Sequence, residues 1–129
     1  MTTNQELAGM QEFGPQLPSM DQVIEVIKLH GAEAKESKDT MSLWMTEQQE
    51  LSDKSTNRYS RIEFNINLIK IYFESGLMKD ANEVAYDTWD MINNEMPKEG
   101  ESSSPEFSAV YDDLLELNIQ ITAAIENKQ

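Results

Sequence analysis

The chain has 129 residues, enough for one domain with a single sizeable core. Ten basic residues stand against 24 acidic ones, a formal charge of -14, which opposes direct contact with nucleic-acid phosphates or anionic lipid. There is no cysteine, so disulfides, thiolate metal sites and a cysteine nucleophile are excluded, and the apolar fraction of 39% is too high for a wholly disordered chain.

Residues 1–18 contain Gly9, Gly14, Pro15 and Pro18 and show no sustained period, so they are read as a flexible tail. They have no basic start and no long apolar run, so a secretory signal is not expected there. No run of about 18 apolar residues occurs, and no membrane span is expected.

Residues 19–129 read as a single helical domain. Ser19 with Gln22 three residues on has capping-box form, and Met20, Val23, Ile24 and Ile27 follow at helical spacing. Gly31 weakens or stops this first helix. The polar stretch 32–39 is read as a continuation or a linker. A second helix is expected from Asp39 or Thr40 to about Lys54, with Met41, Trp44 and Leu51 on one face. The third, about Thr56 to Ser75, carries two apolar rows: Tyr59, Ile62, Ile66, Ile69 and Phe73, then Phe64, Leu68, Ile71 and Tyr72. A helix apolar on two sides needs two sets of neighbours, which puts this one at the centre.

Ser75-Gly76 ends it, since glycine takes the left-handed cap conformation readily. A fourth helix is expected from about Lys79 to Met96. One row holds Leu77, Ala81, Val84, Thr88 and Met91; another holds Ala85, Trp89, Ile92 and Met96. Pro97 closes it. Ser104-Pro105-Glu106 supplies a cap, a first-turn proline and a first-turn acid. The fifth helix, about Pro105 to Asn127, places Phe107, Val110, Leu114, Leu117 and Ile121 on its inner face. Tyr111, Leu115 and Ile119 form a flanking row. No alternating strand pattern competes, so the fold class is all-α, a small bundle of about five helices with a central antiparallel hairpin.

Within that hairpin, Leu68 and Tyr72 sit four apart, Gly76 follows four later at the turn, and Ala81 lies nine beyond Tyr72. These offsets resemble one tetratricopeptide repeat, a helix-turn-helix unit of about 34 residues. The resemblance covers residues 62–96. It departs at Asn65, Ile69, Ala85 and Thr88, and Pro97 comes late. A shift of about 34 residues finds no second copy: Ala34 and Ser102 fall where Leu68 would recur. The resemblance implies an adaptor that binds a partner in a groove, without catalysis.

Motifs for chemistry are missing. His30 is the one histidine, beside Gly31 at a helix end, where a dipole or packing role accounts for it. No Glu-x-x-His pair, EF-hand loop, P-loop or dinucleotide fingerprint occurs. No catalytic, cofactor or metal residue is assigned, and no enzyme activity is expected.

Charge patterning says more. Residues 62–129 hold 14 acids and 4 bases. Asp80, Glu83, Asp87 and Asp90 recur at helical spacing and form one stripe; Asp112, Asp113 and Glu116 add a cluster. The stripe reads as a solvated face or as a docking surface for a basic partner. Lys54, Arg58 and Arg61 at i, i+4, i+7 would share one face, paired with acids such as Glu50 or Asp53 or offered to an acidic partner. Trp44, on a helix with a polar far half, reads as core or as an aromatic interface anchor. Methionines such as Met41, Met45, Met78, Met91 and Met96 fill cores or adaptable grooves.

The sequence is therefore expected to encode a small cytoplasmic acidic adaptor or regulator that contacts another protein, or itself in a homodimer. The candidate contact residues are Trp44, Arg58, Arg61, Asp80, Glu83, Asp87 and Asp90. The alternative is an acidic inhibitor that imitates nucleic acid and blocks the basic site of a nucleic-acid-handling protein.

Overall fold

The structure, a computed structural model, describes residues 18–127; the expected flexible tail falls almost wholly outside them. The described residues form five helices and no strand: α1 (Met20–His30), α2 (Lys35–Lys54), α3 (Ser60–Glu74), α4 (Met78–Asn94) and α5 (Pro105–Asn127). α1 and α2 make one hairpin and α3 and α4 a second. α5 closes over α3 and α4. α3 packs against all four other helices, the central place its two apolar rows require.

Those rows divide the interior into two clusters. Ile62, Ile66 and Ile69 join Tyr59, Ala81, Ala85, Ile92 and the inner row of α5. Leu68 and Ile71 join Val23, Ile27 and Trp44 on the other side. Tyr72 and Val84 pack against both clusters. Ala81 and Ala85 are fully buried, so α4 lies close to α3. The α5 row Phe107, Val110, Leu114, Leu117 and Ile121 is buried throughout, as its spacing requires.

Local chemistry sets the helix ends. Ser19 and Gln22 close a capping box, with the Ser19 hydroxyl 3.2 Å from the Gln22 amide and the Gln22 carboxamide 2.8 Å from the Ser19 amide. α3 ends in a Schellman turn. The Leu77 amide donates to the Tyr72 carbonyl at 2.8 Å and the Gly76 amide to that of Phe73 at 3.1 Å. Gly76 sits at φ 82°, a value that favours glycine. Ser104 caps α5 by accepting the Phe107 amide at 3.1 Å.

Two helix starts differ from the sequence reading. α2 begins at Lys35, several residues before Asp39. Its first turn is polar, so no apolar period marks it. It is held instead by a Lys35–Asp39 contact of 2.6 Å and by Ser37, buried, whose hydroxyl donates to the Gly31 carbonyl at 2.6 Å. Ser37 thereby ties the first turn of α2 to Gly31, the residue that caps the end of α1. α3 begins at Ser60 and not Thr56, because the Asn57 side chain accepts the Tyr59 amide at 2.9 Å and makes a turn of the preceding residues.

Leu51, expected on the inner face of α2, is 56% exposed, and Leu43 and Met96 are exposed as well. α2 rests on α1 and α3 only, and its second half outruns the surface that could cover it.

Trp44 has 1% of its surface accessible and stacks on Phe64, ring centroids 5.7 Å apart. Trp44→Ala is expected to lower unfolding stability by about 3–5 kcal/mol, the range for an emptied aromatic site. Leu51→Ala should stay within about 0.5 kcal/mol. Urea denaturation of the two variants checks both values.

Candidate functional site

α4 turns Ala81, Ala85, Thr88 and Ile92 inward. Its buried Thr88 hydroxyl bonds back to the Val84 carbonyl at 2.6 Å, so no polar group is stranded there. The opposite face carries Asp80, Glu83, Asp87 and Asp90, all exposed. The ion pairs among the described residues are Lys35–Asp39, Lys38–Glu33, Arg58–Glu95 and Arg61–Asp53. None involves the four acids of α4. Asp112, Asp113 and Glu116 on α5 are also exposed and outside these pairs. Like charges one turn apart repel by a few tenths of a kcal/mol each, and an arriving cation relieves that repulsion.

The stripe runs between two grooves. Asp80 borders one of about 340 Å³, whose apolar lining includes Ile27, Met41, Met45, Tyr72 and Leu77. Asp90 borders another of about 620 Å³ between α4 and α5, which Tyr86 and Trp89 line. A third groove, about 430 Å³, lies over α3 between α1 and α5, with Met20, Ile24 and Leu117 among four acids and Lys70.

The remaining sequence candidates fall elsewhere. Trp44 is core, closed to any partner by its stack on Phe64, and its role is packing. Lys54, Arg58 and Arg61 do not share a helical face, because helix is broken between Lys54 and Ser60. Arg61 meets Asp53 at 3.5 Å, as expected of that acid. Arg58 reaches instead to Glu95 at the end of α4 and lies 5.4 Å from the centre of the Tyr59 ring. Both guanidinium groups thus have internal partners. His30 is exposed in the last turn of α1.

Tyr86 was not singled out by the sequence reading, yet it is 73% exposed within the acidic face. A signal for it exists. Tyr86 belongs to neither inward row of α4 and lies three residues from Glu83 and four from Asp90, so the helical period sets it among the acids.

Comparison with protein-family models, with curated proteins and with solved structures returns no significant match. Among the described residues no three potential ligand side chains converge on a metal-sized centre, and no helix is long and apolar enough to cross a membrane.

Tyr72, half-buried beside the stripe, holds its proton above the ordinary tyrosine range, because burial disfavours the phenolate and Asp80 repels it. In the unfolded chain the same phenol ionises at about pH 10. The stability it supplies is full below about pH 10 and is lost as pH rises through the higher folded-state value. The urea midpoint should therefore fall above about pH 10, and Tyr72→Phe should remove that part of the fall. Asp80→Asn should move the tyrosinate absorbance of Tyr72 to lower pH.

Proposed function

We propose that the protein is a small acidic adaptor or regulatory protein that docks a basic segment of another protein and has no catalysis of its own. The observation that carries the reading is the row Asp80, Glu83, Asp87 and Asp90, exposed on one face of α4 without an ion-pair partner among the described residues. Unneutralised charge on a rigid helix steers and orients a cationic partner. The resemblance of the α3–α4 hairpin to a tetratricopeptide repeat, through Leu68, Tyr72, Gly76 and Ala81, supports the same reading, as does the grooved surface beside it. The cysteine-free composition fits a reducing compartment, and the cytoplasm is the proposed location.

The partner is a different protein, not a second copy of this chain. On the outer face of α5 the large exposed apolar side chains are Leu115 and Ile119, at 41% and 61%. Two side chains fall well short of the roughly 800 Å² per partner of a standard interface. Two copies of a chain carrying -14 would also repel.

Asp80→Lys with Asp87→Lys tests the stripe. Both positions are exposed, so stability should change by less than about 1 kcal/mol. Capture of the crosslinked partner from native lysate should drop at least tenfold, and its dependence on salt should flatten. Equal capture and equal salt dependence in the variant would exclude the stripe as the docking face. A partner that releases bound DNA or RNA when this protein is added would favour an inhibitor that imitates the phosphate backbone, since four carboxylates at helical spacing also present a linear row of negative charge.

A further inference from the structure

The α4–α5 groove has a chemistry that the stripe alone lacks. Tyr86 stands nearly free on one wall, 73% exposed. Trp89 is half-buried beside it and is backed edge-on by Tyr111, ring centroids 5.5 Å apart, which holds the indole in place. Asp90 and Glu126 put a carboxylate on each wall, and Asn93 and Asn118 put a carboxamide on each. Aromatic faces attract cations, and a planar guanidinium both stacks on a ring and pairs with a carboxylate through two donors. Carboxamides offer a donor and an acceptor together, which is what each residue of an extended backbone requires. A helical ligand has its backbone groups already bonded and would leave those amides idle.

We infer that this groove binds an extended, arginine-containing segment of the partner protein, with Tyr86 and Trp89 stacking on guanidinium groups, Asp90 and Glu126 pairing with them, and Asn93 and Asn118 holding the peptide backbone. The inference rests on the docking reading above and deepens it from a charge to a sequence preference. Charge selects the occupant. Residues 1–17 of this chain hold Glu6 and Glu12 and no lysine or arginine, so the acidic walls repel them. A second copy, a nucleic acid and an anionic lipid are repelled in the same way. Glu83 and Asp87, on the adjacent row of α4, draw the cation toward the groove.

The experiment uses the full chain and a fluorescein-labelled Ser-Arg repeat octapeptide, its Ser-Lys counterpart and a Ser-Gly control, followed by fluorescence polarisation. The arginine peptide should bind several-fold more tightly than the lysine peptide, and the control should not bind. Tyr86→Ala should weaken the arginine peptide about fivefold, Tyr86→Phe should leave it unchanged, and Asn118→Ala should weaken it two- to threefold. In a Trp44→Phe background, where Trp89 is the sole tryptophan, saturating peptide should shift the indole emission. Binding that ignores Tyr86→Ala and Asn118→Ala but fails in the Asp80→Lys, Asp87→Lys variant would overturn the groove and leave the acidic docking face standing. Absence of binding to the unmodified chain at low salt would also overturn the groove, while the docking face is judged by capture of its own crosslinked partner.

Discussion

One helix supplies a wall to two hydrophobic clusters, and the rest of the molecule is arranged around that fact. α3 turns Ile62, Ile66 and Ile69 to one side and Leu68 and Ile71 to the other. A helix with one apolar stripe needs one neighbour; one with two stripes must be enclosed. Enclosure fixes where α1, α2, α4 and α5 can sit. It leaves α4 and α5 with one face each against solvent, and on α4 that face is acidic.

Solvation and charge then separate the two sides of α4. The buried side is small and smooth, with Ala81, Ala85 and Thr88 allowing close approach to α3. The outer side has no packing duty, so its residues are free to serve recognition. The basic residues are placed differently. Arg58 and Arg61 join α3 and its entry loop to Glu95 and Asp53, and exposed pairs of this kind add at most about 1 kcal/mol each. They cancel charge near the loop and the end of α4, and leave Asp80, Glu83, Asp87 and Asp90 outside the ion pairs.

Helix content, the two rows of α3 and the whole inner face of α5 were legible because apolar periodicity reports burial directly. The start of α2 was not, since its first turn is held by polar contacts, Lys35 to Asp39 and Ser37 to Gly31, that leave no periodic trace. The entry to α3 failed for a related reason: the turn at Asn57 is a side-chain-to-backbone bond inside a stretch that also suits helix. Trp44 illustrates an ambiguity of a different kind. Its helix is polar over its second half, yet its own position falls where α1 and α3 converge, so burial depended on the placement of neighbours. The acidic stripe was visible as a spacing. Its grooves were not, because a groove joins residues of α4 to residues of α5 far along the chain.

The hairpin of α1 and α2 approaches the remainder through α3, without close backbone approach to α4 or α5. Val84 of α4 and Leu77, the residue that precedes that helix, reach its cluster through their side chains. Protection against hydrogen exchange should accordingly be layered. The amides of α1 and α2 can open together as one cooperative unit while α3, α4 and α5 keep the larger cluster intact, and the acidic face of α4 survives that opening.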